Sequence, residues 1–184
     1  MAKRAALRLP RKVTLAGEVS VRPWRPADRA ALLAGITNLQ ELERALSDTR
    51  LPGSKIAVPY LAMLRRRASR AGGMFLVAEC DGDFVGFAAG WIEQGDTIAQ
   101  TKESGVFGYV SDVYVVPARR GLGIAQILLA AAEQHFAALG MKRMRVFSLA
   151  GNVAAHAAYR RAGFAHWETV FDKSISRAKP KRGG

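Results

Sequence analysis

The chain has 184 residues, 49% hydrophobic and 23% charged, the balance of an ordinary globular protein rather than of a disordered or fibrous one. Its single cysteine, Cys80, excludes an internal disulfide framework and fits a reducing compartment. Of the +13 net charge, residues 1–12 and 173–184 each supply +5, which leaves only +3 for residues 13–172 and no basic stripe for nucleic acid.

That distribution predicts one domain, 13–173, between two disordered basic tails, 1–12 and 174–184. "VSVRPW" (19–24) alternates apolar and polar residues as a half-buried strand does. "RPADRAALLAGI" gives a helix start at Pro26 and Asp28, and "LQELERALS" reads as a second helical stretch. "LPGSKIAVP" reads as a break, and "YLAMLRRRASR" as a further helix ending at Gly72-Gly73. Two strands, "MFLVAEC" and "FVGFAAGWIEQ", flank the hairpin turn "DGD". A polar linker, 94–105, leads into the strand "VFGYVSDVYVV". A helix follows from about Gly121 to Leu139, with Ile124, Ile127, Leu128 and Ala131 on its apolar stripe and Gly140 as its stop. "RMRVFSLAG" predicts another strand, "NVAAHAAYRRAG" a short helix capped by Asn152, and "FAHWETVFDK" a closing strand. The order implies a mixed α/β (α+β) domain on a largely antiparallel sheet flanked by helices. No apolar region follows the basic N-terminus, and the run 124–132 is too short to span a bilayer, so a cytoplasmic protein with no membrane partner is expected.

The chemistry concentrates at "ARRGLGIA" (118–125), where strand gives way to helix. Unpaired N–H groups at a helix start, backed by the dipole, favour an anion. Gly121 and Gly123 permit close approach, and Arg119 and Arg120 add phosphate donors. A diphosphate cradle and a glycine kept only for packing are both compatible with this turn. No Lys-Ser or Lys-Thr follows, as a Walker loop requires, and Gln126 stands where a dinucleotide fingerprint has its third small residue.

"RRGLGIAQILL" after "SDVYVVP" resembles the acetyl-CoA motif of the GNAT superfamily of N-acetyltransferases, Gln/Arg-x-x-Gly-x-Gly/Ala, here Arg120, Gly121, Leu122, Gly123, Ile124 and Ala125. A second segment, "NVAAHAAYRRAGF", resembles the family's Asn…Ala…Tyr…Gly-Phe pattern through Asn152, Ala155, Tyr159, Gly163 and Phe164. The resemblance implies a sheet whose fourth and fifth strands splay apart, with the pantetheine arm pairing along Val113 to Val115. It places the diphosphate on the amides from Arg120 to Ala125, and the Val113 N–H as the oxyanion donor. Asn152 would contact the pantetheine, unless capping alone explains it.

The implied reaction is N-acetylation of a primary amine, on a small molecule or a protein, by direct attack on acetyl-CoA. Tyr159 is the expected acid toward the departing thiolate, its alternative being an aromatic packing residue. Asp112 is the expected base or amine attractor, its alternative a strand aspartate holding a neighbouring loop. Phe107 occupies the position where N-terminal acetylating relatives often carry a glutamate. Glu93 and Glu103 are weaker candidates for the base, and the cluster Arg65 to Arg70 could reach a 3′-phosphate or be a solvated helix face. No metal is expected, because no His, Cys or acid cluster is visible. A homodimer is compatible with the sequence, and any nucleic-acid contact would be weak and made by the tails. An acyl-CoA-binding regulator without turnover and a nucleic-acid-associated protein acting through its tails stay open as alternatives.

Overall fold

The computed structural model describes residues 11–14, 17–70, 72–95 and 98–175. Six strands form one sheet in sequence order: β1 (Arg11–Thr14), β2 (Gly17–Pro23), β3 (Met74–Cys80), β4 (Asp83–Gln94), β5 (Val106–Val115) and β6 (Met144–Val146). Neighbours are antiparallel except β5 and β6, which run parallel. The helices are α1 (Arg29–Arg44), α2 (Gly53–Ala68), a one-turn α3 (Lys102–Gly105), α4 (Ile124–Ala138) and α5 (Val153–Arg161). The expected mixed, largely antiparallel sheet with flanking helices is the fold observed.

Two apolar clusters cover the two faces of the sheet. On one, α1 and α2 bury Leu32, Ile36, Leu61 and Leu64 against Phe75, Val77, Phe87 and Tyr114. On the other, α4 buries Ile124, Ile127, Leu128, Leu129 and Phe136 against Val19, Leu76, Val85 and Val110, with Tyr159 and Phe164 packed at the margin. Each such large side chain contributes roughly 1.5–3 kcal/mol of burial. The β3–β4 turn is a two-residue hairpin in which Asp81 and Gly82 both have positive φ, 52° and 89°, the conformation whose twist matches paired strands. Arg22 on β2 grips Asp28 at 2.8 and 2.7 Å and also contacts Glu79 of β3, which ties the start of α1 to the sheet. The paired Arg22 guanidinium holds Asp28 below the usual carboxylate range.

Several elements differ from the sequence reading. The two stretches 25–36 and 39–47 run into one helix, Arg29–Arg44, because Gly35, packed closely against Phe87 and Tyr114, does not break the register from Leu32 through Leu39 that faces the sheet. The expected break at 51–59 is instead the start of α2, which begins at Gly53 and carries Pro59 on its exposed side. The strand expected over 143–151 shortens to three residues, Met144–Val146, and 164–173 forms no strand at all. Arg11 and Lys12, assigned to the N-terminal tail, open β1, whose pairing with β2 was not anticipated. The remaining tail assignments, 1–10 and 176–184, lie outside the described residues. Among the described residues no helix is long and apolar enough to cross a membrane.

Candidate active site

β5 organises the candidate residues. β6 pairs with it only at Gly108, Tyr109 and Val110, so beyond Val110 the two strands part and that edge of β5 is open. Val116 N–H donates to Val85 O at 3.0 Å. Alternation along an antiparallel pair then turns the N–H and C=O of Val113 and Val115 toward the open side. Consistent with this, Arg120 Nε donates to Val115 O from that side at 3.1 Å. An extended ligand arm has main-chain groups to pair with here, as an added strand would.

The glycine turn lies at the end of the same strand. After a 3-10 turn over Pro117–Arg119, Arg120 is extended, Gly121 and Gly123 have φ of +77° and +82°, and α4 begins at Ile124. No atom stands within 4 Å of where a Cβ would sit on either glycine. Packing therefore does not require them; the left-handed backbone does. The side chain of Ile124 belongs to the core, while Leu122 and Ala125 are half-buried, so what this turn offers a ligand is its main chain and its arginines. An open turn of positive-φ glycines on the first amides of a 15-residue helix suits a diphosphate.

A bulge decides where Asp112 points. Ala89 of β4 pairs with Asp112 but the next residue, Gly90, pairs with Val110, which leaves Ser111 as an extra residue on β5. Val110 faces α4, and unbroken alternation would send Asp112 the same way. The extra residue turns Asp112 to the face of α1 and α2, together with Tyr114.

There Asp112 is 6% exposed. Tyr60 of α2 donates its hydroxyl to the carboxylate, at 3.0 and 3.2 Å from its two oxygens, and Ser111 Oγ lies 2.6 Å from Oδ2. Burial pushes the Asp112 pKa up to about 6, with the Ser111 and Tyr60 hydrogen bonds opposing and the nearby Glu43 charge reinforcing the rise. A carboxylate with that pKa is ionised near neutrality yet basic enough to take a proton.

Tyr159 projects from α5 against the α4 core, 5.9 Å from Phe164 between ring centroids. Burial raises its pKa to about 12, with the charge of Asp112 adding to the rise, so the phenol stays protonated. Tyr109 is raised by burial too and then by Asp112 and Glu93. Its ring meets Trp91 at 5.2 Å and Phe147 at 5.4 Å. The charges of Asp112 and Glu43 reach Tyr60, Tyr109 and Tyr159 and help keep these phenols protonated, an acidic surround offset by Arg50, which pairs with Glu43 at 3.1 Å.

Other sequence candidates sit elsewhere or are occupied. Asn152 caps α5, its Oδ1 accepting from Ala155 N at 3.1 Å. Glu93 accepts from Trp91 Nε1 at 2.5 Å and pairs with Arg67. Arg65 and Arg67 of α2 stack on Trp24 and Trp91, on the face opposite α4. Among the described residues no cluster of His, Cys or acids could hold a metal. Tyr60, Ser111 and Glu43 were not singled out in the sequence. Only the Ser111–Asp112 adjacency was visible there; Tyr60 lies 52 positions away from Asp112.

The model of the acetyltransferase (GNAT) family matches residues 39–164. Over 112 residues the chain is 33% identical to an aminoglycoside N(6')-acetyltransferase type 1 of Stenotrophomonas maltophilia, a match covering 61% of this chain and 72% of that protein. Among solved structures it resembles an aminoglycoside 6'-N-acetyltransferase from Acinetobacter haemolyticus, with a TM-score of 0.60 and 22% identity over 85% of this chain and 99% of the other. It also resembles an aminoglycoside N-acetyltransferase solved in complex with CoA, with a TM-score of 0.65 and 17% identity over 94% and 100% of the two chains.

Proposed function

Because the chain belongs to the acetyltransferase (GNAT) family and is an acetyl-CoA-dependent N-acetyltransferase, we propose that it acetylates a primary amine of a small, multiply cationic molecule, with Asp112 as the base. The aminoglycosides named for its relatives are the first class to test. The observation that carries this reading is the buried Asp112 carboxylate, held by Tyr60 and Ser111 at the bulge, next to the open stretch 111–115 of β5. Glu43, paired with Arg50, adds to the negative potential at Asp112, and Tyr60 and Tyr109 add aromatic rings for cations.

In this reading the main chain from Arg120 to Ala125 holds the diphosphate, and Val113 and Val115 align the pantetheine. Acetyl-CoA supplies an activated carbonyl in that position. Asp112 removes a proton from the bound ammonium, which frees the nitrogen lone pair to form the C–N bond. The Val113 N–H stabilises charge developing on the carbonyl oxygen. As the C–S bond breaks, Tyr159 gives its proton to the sulfur, and solvent restores the phenol. Asn152, through its cap on α5, fixes the helix from which Tyr159 projects.

The test combines thermal shift by acetyl-CoA with thiol release across a panel of amines, from monoamines to aminoglycosides. The reading expects stabilisation by acetyl-CoA, and thiol release that is fastest with multiply charged acceptors. Equal rates with neutral and polycationic amines would remove the acidic surround as a determinant.

A further inference from the structure

The basic cluster on α2 takes no part in the chemistry at β5. Ala62, Arg65, Arg66 and Ser69 fall at the spacing of one helix face, i, i+3, i+4 and i+7, and all four are exposed. Among the described residues no carboxylate pairs with Arg65 or Arg66, whereas Arg67, one position on, meets Glu93 at 3.7 Å. Two guanidinium groups therefore stand on this face without an acid to neutralise them.

The same face lines a groove of about 730 Å³. The register of β2 on β3 ends at Pro23 and Leu76, and Trp24 N–H makes a last bond to Phe75 O at 2.9 Å. Beyond that point Gly73 and Met74 have no described strand beside them on this edge, and the groove opens there. The Trp24 ring lies 5.9 Å from that of Phe75, and the Arg65 guanidinium sits over it at 4.7 Å. His135, in the last turn of α4, contributes from the opposite face of the sheet, its Nε2 3.4 Å from Gly72 O. Burial holds that imidazole below its usual range, so it adds a polar edge without charge near neutrality. The charge in the groove is thus that of Arg65 and Arg66, and no described residue lining it is acidic. It is not the diphosphate turn: His135 lies eleven residues along α4 from Ile124, roughly 16 Å at the helical rise.

We propose that this groove binds a small organic carboxylate with an apolar body, the carboxylate on Arg65 and Arg66 and the body between Trp24 and Met74. Its volume falls within the roughly 300–1,000 Å³ of small-molecule sites, which pair an apolar lining with a few placed polar groups. The stacked Arg65 guanidinium is fixed by the ring beneath it, and a guanidinium fork matches the two oxygens of a carboxylate. α2 also carries Tyr60, so the ligand docks on the helix that holds Asp112. The proposal rests on neither the base nor the acceptor assigned above.

The experiment is titration calorimetry on the full chain saturated with CoA, which fills the diphosphate turn and the β5 edge beforehand. The probe is hydrocinnamate, with its amide and inorganic phosphate as controls. Hydrocinnamate should bind, and both controls should bind more weakly by about ten-fold or more, because one lacks the charge and the other the apolar body. Arg65→Gln combined with Arg66→Gln should weaken hydrocinnamate by a similar factor, with circular dichroism and the thermal shift by CoA unchanged. Ala62→Glu, which sets a carboxylate in the exposed stripe and leaves the Trp24 stack in place, should do the same. No binding of hydrocinnamate at millimolar concentration overturns the proposal, as does a smaller preference over either control. Binding that survives the double variant or Ala62→Glu overturns it too.

Discussion

Replacing Asp112 by asparagine should make the enzyme more stable as it destroys turnover. A carboxyl that titrates near 6 rather than 3.8 stays protonated longer in the folded chain than in the unfolded one. Between those values the folded state holds the extra proton, so its stability falls as pH rises from about 4 to about 6 and then stays low. At about 1.4 kcal/mol per pH unit, ionised Asp112 costs the fold roughly 3 kcal/mol at neutral pH. Asparagine has nearly the same shape and never ionises. Urea unfolding of both proteins at pH values from 4 to 8 isolates this quantity, because carboxylates such as Asp28 contribute equally to each and cancel in the difference. The variant should gain about 3 kcal/mol relative to wild type between pH 4 and pH 7. In the same preparations, thiol release with a good acceptor should drop at least a hundred-fold, in line with roughly 10²–10⁴ for a general base. A stability difference that is flat with pH would refute the desolvated carboxylate. Undiminished turnover would refute its part in catalysis.

Tyr159→Phe removes the phenolic proton and leaves the ring, so kcat should fall about a hundred-fold while the acetyl-CoA thermal shift is unchanged; a normal kcat leaves the ring with a packing role only. Tyr60→Phe deletes the hydroxyl that stabilises ionised Asp112, so the acid limb of kcat/KM should move up by about one to two pH units, corresponding to roughly 1.5–3 kcal/mol for a hydrogen bond to a charge. An unmoved limb would mean that Asp112 is not the group titrating there. Gly123→Val forces a branched side chain into φ of +82°, costing about 1–2 kcal/mol of stability. Acetyl-CoA titrations followed by thermal shift should show at least ten-fold weaker binding, and unaltered affinity would take the diphosphate off this turn.

What the sequence disclosed was local. The turn 117–125 was legible because a strand end, two glycines and a helix start lie within ten residues, and each has a backbone requirement that few residue types meet. The β3–β4 hairpin and the capped α5 were legible for the same reason. Asp112 was noticed, but not its orientation, because the bulge at Ser111 exists only as a mismatch of register with β4. Tyr60 could not be paired with it, since the contact spans half the sheet and one helix layer. Pro59 suggested a helix break where the chain accommodates it on the solvent side of α2. The strand reading at 164–173 followed from a sound side-chain pattern, but a pattern cannot supply the neighbouring strand that pairing demands.

The extra residue on β5 has a consequence for how such an enzyme can be altered. The open edge at Val113 and Val115 presents main chain within the plane of the sheet, whereas Asp112 presents a side chain perpendicular to it, toward Tyr60. Substitutions at Glu43, Tyr60 and Tyr109 leave the in-plane groups where they are, so acceptor preference can drift while donor use stays fixed. Removing one residue from the strand is a different matter. Deletion of Ser111 would restore even alternation and rotate Asp112 into the apolar layer beneath α4, a half-turn that no neighbouring side chain could make good.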